Sequence, residues 1–86
     1  MKHLIQHDPP HPGEILLEFY LEPLGLSVTD AAKKLQINRS RLFRIINGQA
    51  RISTGDARKL SKVFTNTPLF WLNLQRSSGL WNTLQK

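Results

Sequence analysis

The side chains with the clearest binding chemistry fall in one short segment, residues 38–51, NRSRLFRIINGQAR. It contains four arginines, Arg39, Arg41, Arg44 and Arg51, and no acidic residue. Each guanidinium presents five N–H donors in a rigid fork, a shape that matches phosphate oxygens and the O6 and N7 acceptors of guanine. Apolar residues are interleaved with the arginines at positions 42, 43, 45 and 46. The pattern predicts an element that packs on one side and presents cations to a polyanion on the other.

Charge is distributed unevenly along the chain of 86 residues, whose net charge is +6. Residues 33–62 hold nine Lys or Arg against Asp56 alone, whereas residues 1–32 hold five acids against Lys2. A basic block on a folded element favours binding to nucleic acid, although the same block can also be an ordinary solvated surface. On charge alone, both interpretations stay open.

Composition limits the remaining classes of protein. The chain has no cysteine, which excludes disulfides and thiolate metal sites. No apolar run reaches the ~20 residues that a membrane span requires, and the N-terminus lacks the apolar core of a secretory signal. We therefore expect one small cytoplasmic domain with no membrane partner.

Capping residues and prolines divide the chain into five predicted helices. The first should run from Pro12 to Glu22 and stop before Pro23. Its apolar stripe comprises Ile15, Leu16, Phe19 and Tyr20. The other four should follow the N-cap residues Ser27, Asn38, Ser53 and Thr67. No segment shows strand-like alternation, so the predicted fold class is all-α.

The second and third helices, about three residues apart, have the spacing of a helix-turn-helix over about residues 28–46. In such a unit the second helix enters the major groove of DNA with its first turns toward the base edges. The predicted base-contacting residues are Arg39, Ser40, Arg41 and Arg44. The predicted phosphate-contacting residues around them are Lys33, Lys34, Asn47, Gln49 and Arg51. The alternative is that the arginines only solubilise an exposed helix, but interspersed acids would then be normal, and this helix has none.

The segment LSVTDAAKKLQINRSRLFRIINGQARISTGDARKLSKVF resembles the lambda-repressor-like (XRE) helix-turn-helix family. The resemblance rests on Ala32 in the first helix of the unit, on Asn47-Gly48 at the close of the second and on the capped helix that follows. It implies a five-helix DNA-binding domain and adds Val28 to the phosphate-contacting residues. Two positions depart from the family pattern: Val28 replaces a frequent Gln, and Gln36 stands in the turn where Gly is usual. If the turn needs a positive φ, Gln36 costs roughly 1 kcal/mol there; the alternative is a turn that is built differently.

Three separated motifs are similar to HigA-type (VapI-like) antitoxins: His-Pro-Gly-Glu at 11–14, Leu24-Gly25, and Trp-Leu-Asn-Leu-Gln at 71–75. This narrower resemblance implies a homodimer that binds double-stranded operator DNA and represses its own operon. It also implies a toxin partner, HigB, which is a RelE-like mRNA-cleaving ribonuclease. A stand-alone repressor without a toxin, and a protein-interaction module that no longer binds DNA, are the alternatives.

The fifth helix is apolar nearly all round, which predicts that a second copy covers part of it. The predicted dimer interface comprises Leu69, Phe70, Trp71, Leu74 and Trp81. In the alternative, Phe70 and Leu74 cover the domain's own core, Trp71 is half buried and no dimer forms. Phe43 and Ile46 are expected against the fifth helix or a partner chain. The predicted division is a flexible N-terminal tail (1–11), a helix-turn-helix domain (12–77) and a C-terminal tail (78–86) that could extend the interface.

The three histidines His3, His7 and His11 recur every four residues, a spacing that could bind a metal on a helix. Pro9 and Pro10 argue against a continuous helix there, so we expect no metal. No nucleophile is paired with a base and no Gly-rich phosphate loop is present. The sequence therefore predicts no enzyme, no cofactor and no small-molecule substrate.

Overall fold

The computed structural model of the chain describes residues 10–85, with side chains through Ser78. This part contains five helices and no strand, which confirms the predicted all-α fold. Helix α1 covers residues 12–24 in three consecutive segments, Pro12–Ile15, a π-helical Leu16–Leu21, and Glu22–Leu24. The others are α2 (Val28–Leu35), α3 (Arg39–Ile46), α4 (Thr54–Phe64) and α5 (Pro68–Gln85).

All four predicted N-caps form, which explains where helices α2 to α5 begin. Ser27 Oγ accepts from Asp30 N at 3.0 Å, and Asn38 Oδ1 accepts from Arg41 N at 3.2 Å. Ser53 Oγ accepts from Asp56 N at 3.0 Å, and Thr67 Oγ1 accepts from Phe70 N at 3.2 Å. Each cap satisfies a backbone donor that the first helical turn leaves free.

Helix α1 departs from prediction at its C-terminal end, because it continues past Pro23 to Leu24. The turn before the proline is π-helical, with Glu22 N donating to Leu17 O. This wider turn accommodates Pro23, because proline has no N–H to donate and its ring crowds the preceding turn. It also brings Leu16 and Leu21, five residues apart, to the buried side. Phe19, predicted in the apolar stripe, is consequently 63% exposed.

The core takes buried side chains from all five helices, and the largest of them is Trp71, which has no exposed surface. Its indole Nε1 donates to Asn66 Oδ1 at 2.8 Å. The Tyr20 ring lies 5.4 Å from it, centroid to centroid, and the Phe70 ring 5.1 Å in an edge-to-face arrangement. These contacts account for the whole indole, so the prediction that Trp71 belongs to the dimer interface is wrong. It is a core residue.

Ile46 also belongs to the core, at 9% exposure, and its backbone lies close to Gly13 at the start of α1. Phe43, by contrast, stays exposed on α3. Ile46 is therefore covered within the protein's own core, whereas the expected contact of Phe43 with a partner chain stays a prediction.

The two predicted domain boundaries differ from the observed helices. His11 caps α1, so the folded part begins inside the predicted tail. Helix α5 passes without a break through residue 78 to Gln85. His3, His7 and the side chain of Trp81 lie outside the described residues. Among the helices that are described, none is long and apolar enough to cross a membrane.

Candidate nucleic-acid interface

The turn between α2 and α3 is built around Gln36, which adopts the left-handed conformation with φ 58°. Ile37 N donates to Ala32 O at 3.1 Å, and the Ile37 side chain is buried. Lys59 Nζ, from α4, donates to Gln36 O at 2.8 Å. Of the two possibilities that the sequence left open, the turn uses the positive φ, and the ammonium group of Lys59 bonds to the strained residue's carbonyl oxygen.

The outward side of α3 is polar and cationic. Arg39, Ser40 and Arg44 are exposed, whereas Leu42 and Ile45 are buried on the opposite side. Arg39 Nε donates to Thr29 Oγ1 of α2 at 2.9 Å, which ties the first turn of α3 to the neighbouring helix. The helix thus presents donors on its free side while its apolar side fixes its orientation, as the sequence predicts.

Arg41 differs from its neighbours because it is held inside the protein's own hydrogen-bond network. Its Nη2 contacts Asp56 Oδ2 directly and its Nε donates to Asp56 Oδ1 at 3.4 Å. Nη2 also donates to the backbone oxygen of Arg51 at 3.1 Å. Arg41 is half-buried, and it joins α3 to the first turn of α4 and to the loop before it. Its base contact stays a prediction and would compete with this pairing.

The Asp56 carboxylate is the buried partner of that pair, at 6% exposure. Burial by itself would raise its pKa, but hydrogen bonds from Arg41 and Ser53, together with the Arg41 charge, hold the pKa of Asp56 below its ordinary value. Asp56 is therefore ionised at neutral pH and both caps α4 and orients Arg41.

The predicted phosphate contacts surround the exposed side of α3. Lys33, Lys34, Asn47, Gln49 and Arg51 are all exposed. Asn47 ends α3, and Gln49 N donates to Arg44 O at 2.7 Å, so the chain turns sharply after the helix. Val28 is half-buried at the first position of α2. This arrangement is compatible with cationic contacts to phosphates on both sides of a groove, and the individual contacts stay predictions.

The C-terminal end of α3 is supported by the start of α1 through Gly13. A Cβ atom at Gly13 would lie 2.1 Å from Ile45 O and 2.7 Å from Ile46 Cα, so only glycine fits. His11 Nδ1 accepts from Gly13 N at 3.0 Å, and Glu14 Oε1 accepts from His11 N at 3.0 Å. The His-Pro-Gly-Glu motif is thus a reciprocal capping box that allows one backbone to approach another.

A second support comes from Gln75 on α5. Its Oε1 accepts from Ile52 N at 2.7 Å and its Nε2 donates to Ile52 O at 2.9 Å. One side-chain amide therefore satisfies both backbone groups of a buried residue in the loop between α3 and α4. Sequence reasoning missed this role, along with the Arg41–Asp56 pair. The motif around residue 75 marked Gln75 as notable without indicating its partner.

Among the predicted interface residues whose side chains the structure describes, two near the start of α5 are exposed. Leu69 is 63% exposed and Phe70 is 38% exposed, while Leu74 is half-buried. Leu69 and Phe70 are thus available to a second chain, whereas Trp71 is not.

These features define a helix-turn-helix domain of the DNA-binding type, with a cationic second helix and a basic surround. The chain belongs to the helix-turn-helix family HTH_3, whose model matches residues 17–72. This family comprises DNA-binding regulators rather than enzymes, and the relatives of this chain include HigA antitoxins.

Three comparisons place the chain more closely. It is 44% identical to an uncharacterised HTH-type transcriptional regulator of Haemophilus influenzae, over 92% of this chain and 74% of that protein. It is 36% identical to antitoxin HigA-1 of Vibrio cholerae, over 87% of this chain and 70% of that protein. A solved structure of Pseudomonas aeruginosa antitoxin HigA with the higBA promoter superposes with a TM-score of 0.83 at 32% identity, covering 87% of this chain and 82% of that chain. The chain spans 64% to 74% of the length of its curated relatives.

Proposed function

We propose that the protein is a DNA-binding antitoxin that binds its own operator as a homodimer and neutralises a HigB/RelE-like mRNA-cleaving toxin. The observation that carries the proposal is the exposed face of α3: Arg39, Ser40 and Arg44 point away from the core with no acid among them. An antitoxin of the same family, similar over most of this chain, has been solved with promoter DNA.

DNA binding is tested by titrating duplex operator DNA at increasing salt. Since phosphate contacts release counterions, we expect the affinity to fall steeply between about 50 and 200 mM salt. Arg39→Ala should cost about 1–3 kcal/mol and relax the preference at one base pair. Lys34→Ala should weaken all sequences about equally. A uniform loss from both variants would contradict the assignment of Arg39 to a base.

The dimer is supported by Leu69 and Phe70, which leave apolar surface exposed at the start of α5. A dimer places two α3 helices about 34 Å apart, one turn of DNA, over a palindromic site. Sedimentation across a dilution series measures it. A protein that stays monomeric at micromolar concentration, with and without DNA, would contradict this part of the proposal.

The toxin partnership is supported by the similarity to HigA-1 and to the solved HigA antitoxin. Its test is co-expression with the product of the neighbouring gene. We expect the two proteins to co-purify and the mixture to lose the mRNA-cleaving activity of the isolated partner.

A stand-alone repressor is the second candidate, favoured by the relative described as a transcriptional regulator. Both candidates bind DNA, so only the partner distinguishes them. Operator binding without any interacting neighbour would favour the repressor. A protein-interaction module would instead show no salt-dependent DNA binding.

A further inference from the structure

We propose that Phe43 contacts the 5-methyl group of a thymine in the operator and so specifies an A·T pair at one position of each half-site. The inference rests on the proposed DNA binding, and it deepens that proposal by assigning a particular base contact to Phe43, the exposed apolar residue on α3. Its starting point is that Phe43 is 53% exposed on α3, beside the buried side of the helix that Leu42, Ile45 and Ile46 form.

Geometry along the helix places Phe43 among the predicted base contacts. It lies four residues after Arg39, three after Ser40 and one before Arg44. Residues three and four apart share a helix face, so Phe43 lies one turn beyond Arg39 and Ser40 on the same side. A helix that brings those two residues to base edges also brings Phe43 close to the next base step.

The chemistry of the groove identifies the group that Phe43 would contact. The major groove displays hydrogen-bond donors and acceptors from every base pair, and the thymine methyl is its apolar group. A phenyl ring cannot bond to the donors or acceptors, and burying it against them would cost free energy because they would lose water. The thymine methyl is the group that it can cover without that cost.

A protein partner for Phe43 is less consistent with its surroundings. Its exposed neighbours on the helix are polar or cationic: Arg39, Ser40, Arg44 and Asn47. Its apolar neighbour Ile46 is buried in the core. Protein-binding hot spots lie inside a patch that excludes water. The other large exposed apolar side chains among the described residues lie on α1 and α5: Phe19, Leu24, Leu69 and Phe70. An isolated ring within a cationic face suits a polyanion that carries isolated methyl groups.

The test replaces thymine by deoxyuridine, which removes the methyl and keeps the base pairing. A duplex site is first selected from a random-sequence library with the wild-type protein, and each thymine is then replaced in turn. For the wild type we expect about a fourfold loss of affinity at one thymine per half-site, the loss that corresponds to one buried methyl. Phe43→Ala should bind the unmodified site more weakly and show no further loss at that same position.

Two control variants make the result specific. Phe43→Leu keeps an apolar side chain and should retain part of the sensitivity to the missing methyl. Phe19→Ala removes an exposed ring from α1, at 63% exposure against 53% for Phe43, and should leave the deoxyuridine profile of the wild type unchanged. Thermal unfolding confirms that each variant folds.

The outcomes are separable. Binding with no thymine position whose effect depends on Phe43 would overturn this inference and leave the proposed DNA binding intact. The same flat profile, with Phe43→Ala abolishing capture of the neighbouring gene product, would assign the ring to a protein contact and also overturn it. Absence of any salt-dependent DNA binding by the wild type would overturn the proposed function as well.

Discussion

The exposed face of α3 and the exposed surfaces of α1 and α5 are built from opposite residue types. The α3 face carries Arg39 and Arg44 with no acid. On α1 the exposed residues include acids and large apolar side chains, and α5 begins with exposed Leu69. A domain this small therefore separates a surface for a polyanion from surfaces suited to protein contacts.

The two surfaces are also held differently. Helix α3 is held by the buried Leu42 and Ile45 and by two polar contacts. Arg39 donates a hydrogen bond to Thr29, and Arg41 forms an ion pair with Asp56. Behind α5 the support is a fully buried indole with aromatic rings around it. The position of α3 thus depends partly on directional hydrogen bonds, whereas the position of α5 depends on the packing of a large buried side chain. The following substitutions separate those two dependences.

The largest effect should come from the packed side of α5. Trp71→Ala removes a side chain with no exposed surface, and we expect it to lower the free energy of unfolding by about 3–5 kcal/mol. Leu69→Ala, two residues earlier and exposed, should change it by less than about 0.5 kcal/mol but weaken dimerisation. Urea unfolding and sedimentation measure the two effects. Equal destabilisation by both variants would contradict the distinction between core and surface on this helix.

The contact between α1 and the end of α3 is the next test. Gly13→Ala would place a Cβ atom 2.1 Å from Ile45 O, and since backbone atoms cannot move aside easily, we expect a loss of about 3 kcal/mol. Gly55→Ala is the matched control, because its nearest neighbour, Ser53 Oγ, would lie 3.6 Å away. The control should be neutral or slightly stabilising in thermal unfolding. A harmless Gly13→Ala would show that the two helices do not approach this closely.

The Arg41–Asp56 ion pair should contribute less to the free energy of unfolding, and its contribution should depend on pH. Asp56→Asn removes the charge of a hydrogen-bonded carboxylate, at a cost of about 1–2 kcal/mol near pH 7. Because the folded-state pKa of Asp56 lies below its ordinary value of 3.8, this stabilisation is present above about pH 4. It is lost as pH falls through the folded pKa, where wild type and variant should converge.

Asp30→Asn provides the comparison for that experiment. Asp30 holds the equivalent third position of α2 but is exposed, and it forms no ion pair within the described residues. Its substitution should change stability little at any pH above 5. A pH profile of Asp56→Asn that runs parallel to the wild type down to pH 2 would rule out the ion pair as the source.

The smallest effect concerns the turn that positions α3. Gln36→Gly should raise the free energy of unfolding by about 1 kcal/mol, because glycine adopts φ 58° without strain. The Lys59 bond to the backbone oxygen of residue 36 should persist. Gln49→Gly is the control. Gln49 is not in the left-handed region, so this substitution should lower the free energy of unfolding. Thermal unfolding of both variants checks the difference.

Local features of this fold were predictable from sequence, and non-local ones were not. Ser27, Asn38, Ser53 and Thr67 were identified as caps because a capping side chain and the backbone N–H that donates to it lie within three residues. The positive φ at Gln36 was one of two possibilities that the family's glycine at that position raised. Such signals are contained in a few consecutive residues.

The remaining features depend on what the chain folds against. The Arg41–Asp56 pair joins residues fifteen apart. The sequence already explained Arg41 as a base contact and Asp56 as part of a helix cap, so nothing pointed to a pair. His11 was missed as a cap because histidine is seldom one. Trp71 was assigned to an interface because five apolar residues in one helix exceed one face, and nothing in the sequence indicates which of them the core takes. The pattern predicted the cationic face of α3, and only the fold showed that Arg41 is partly withdrawn from it.

The amide of Gln75 has a consequence for how this molecule fluctuates. Gln75 bonds to both backbone groups of Ile52, and Arg41 bonds to the adjoining carbonyl, so opening of the loop between α3 and α4 must break hydrogen bonds to both α3 and α5. We therefore expect the loop and α5 to behave as one cooperative unit of local unfolding. The Ile52 amide hydrogen should therefore exchange with solvent as slowly as those of the core helices, in a segment whose outward residues lie in water.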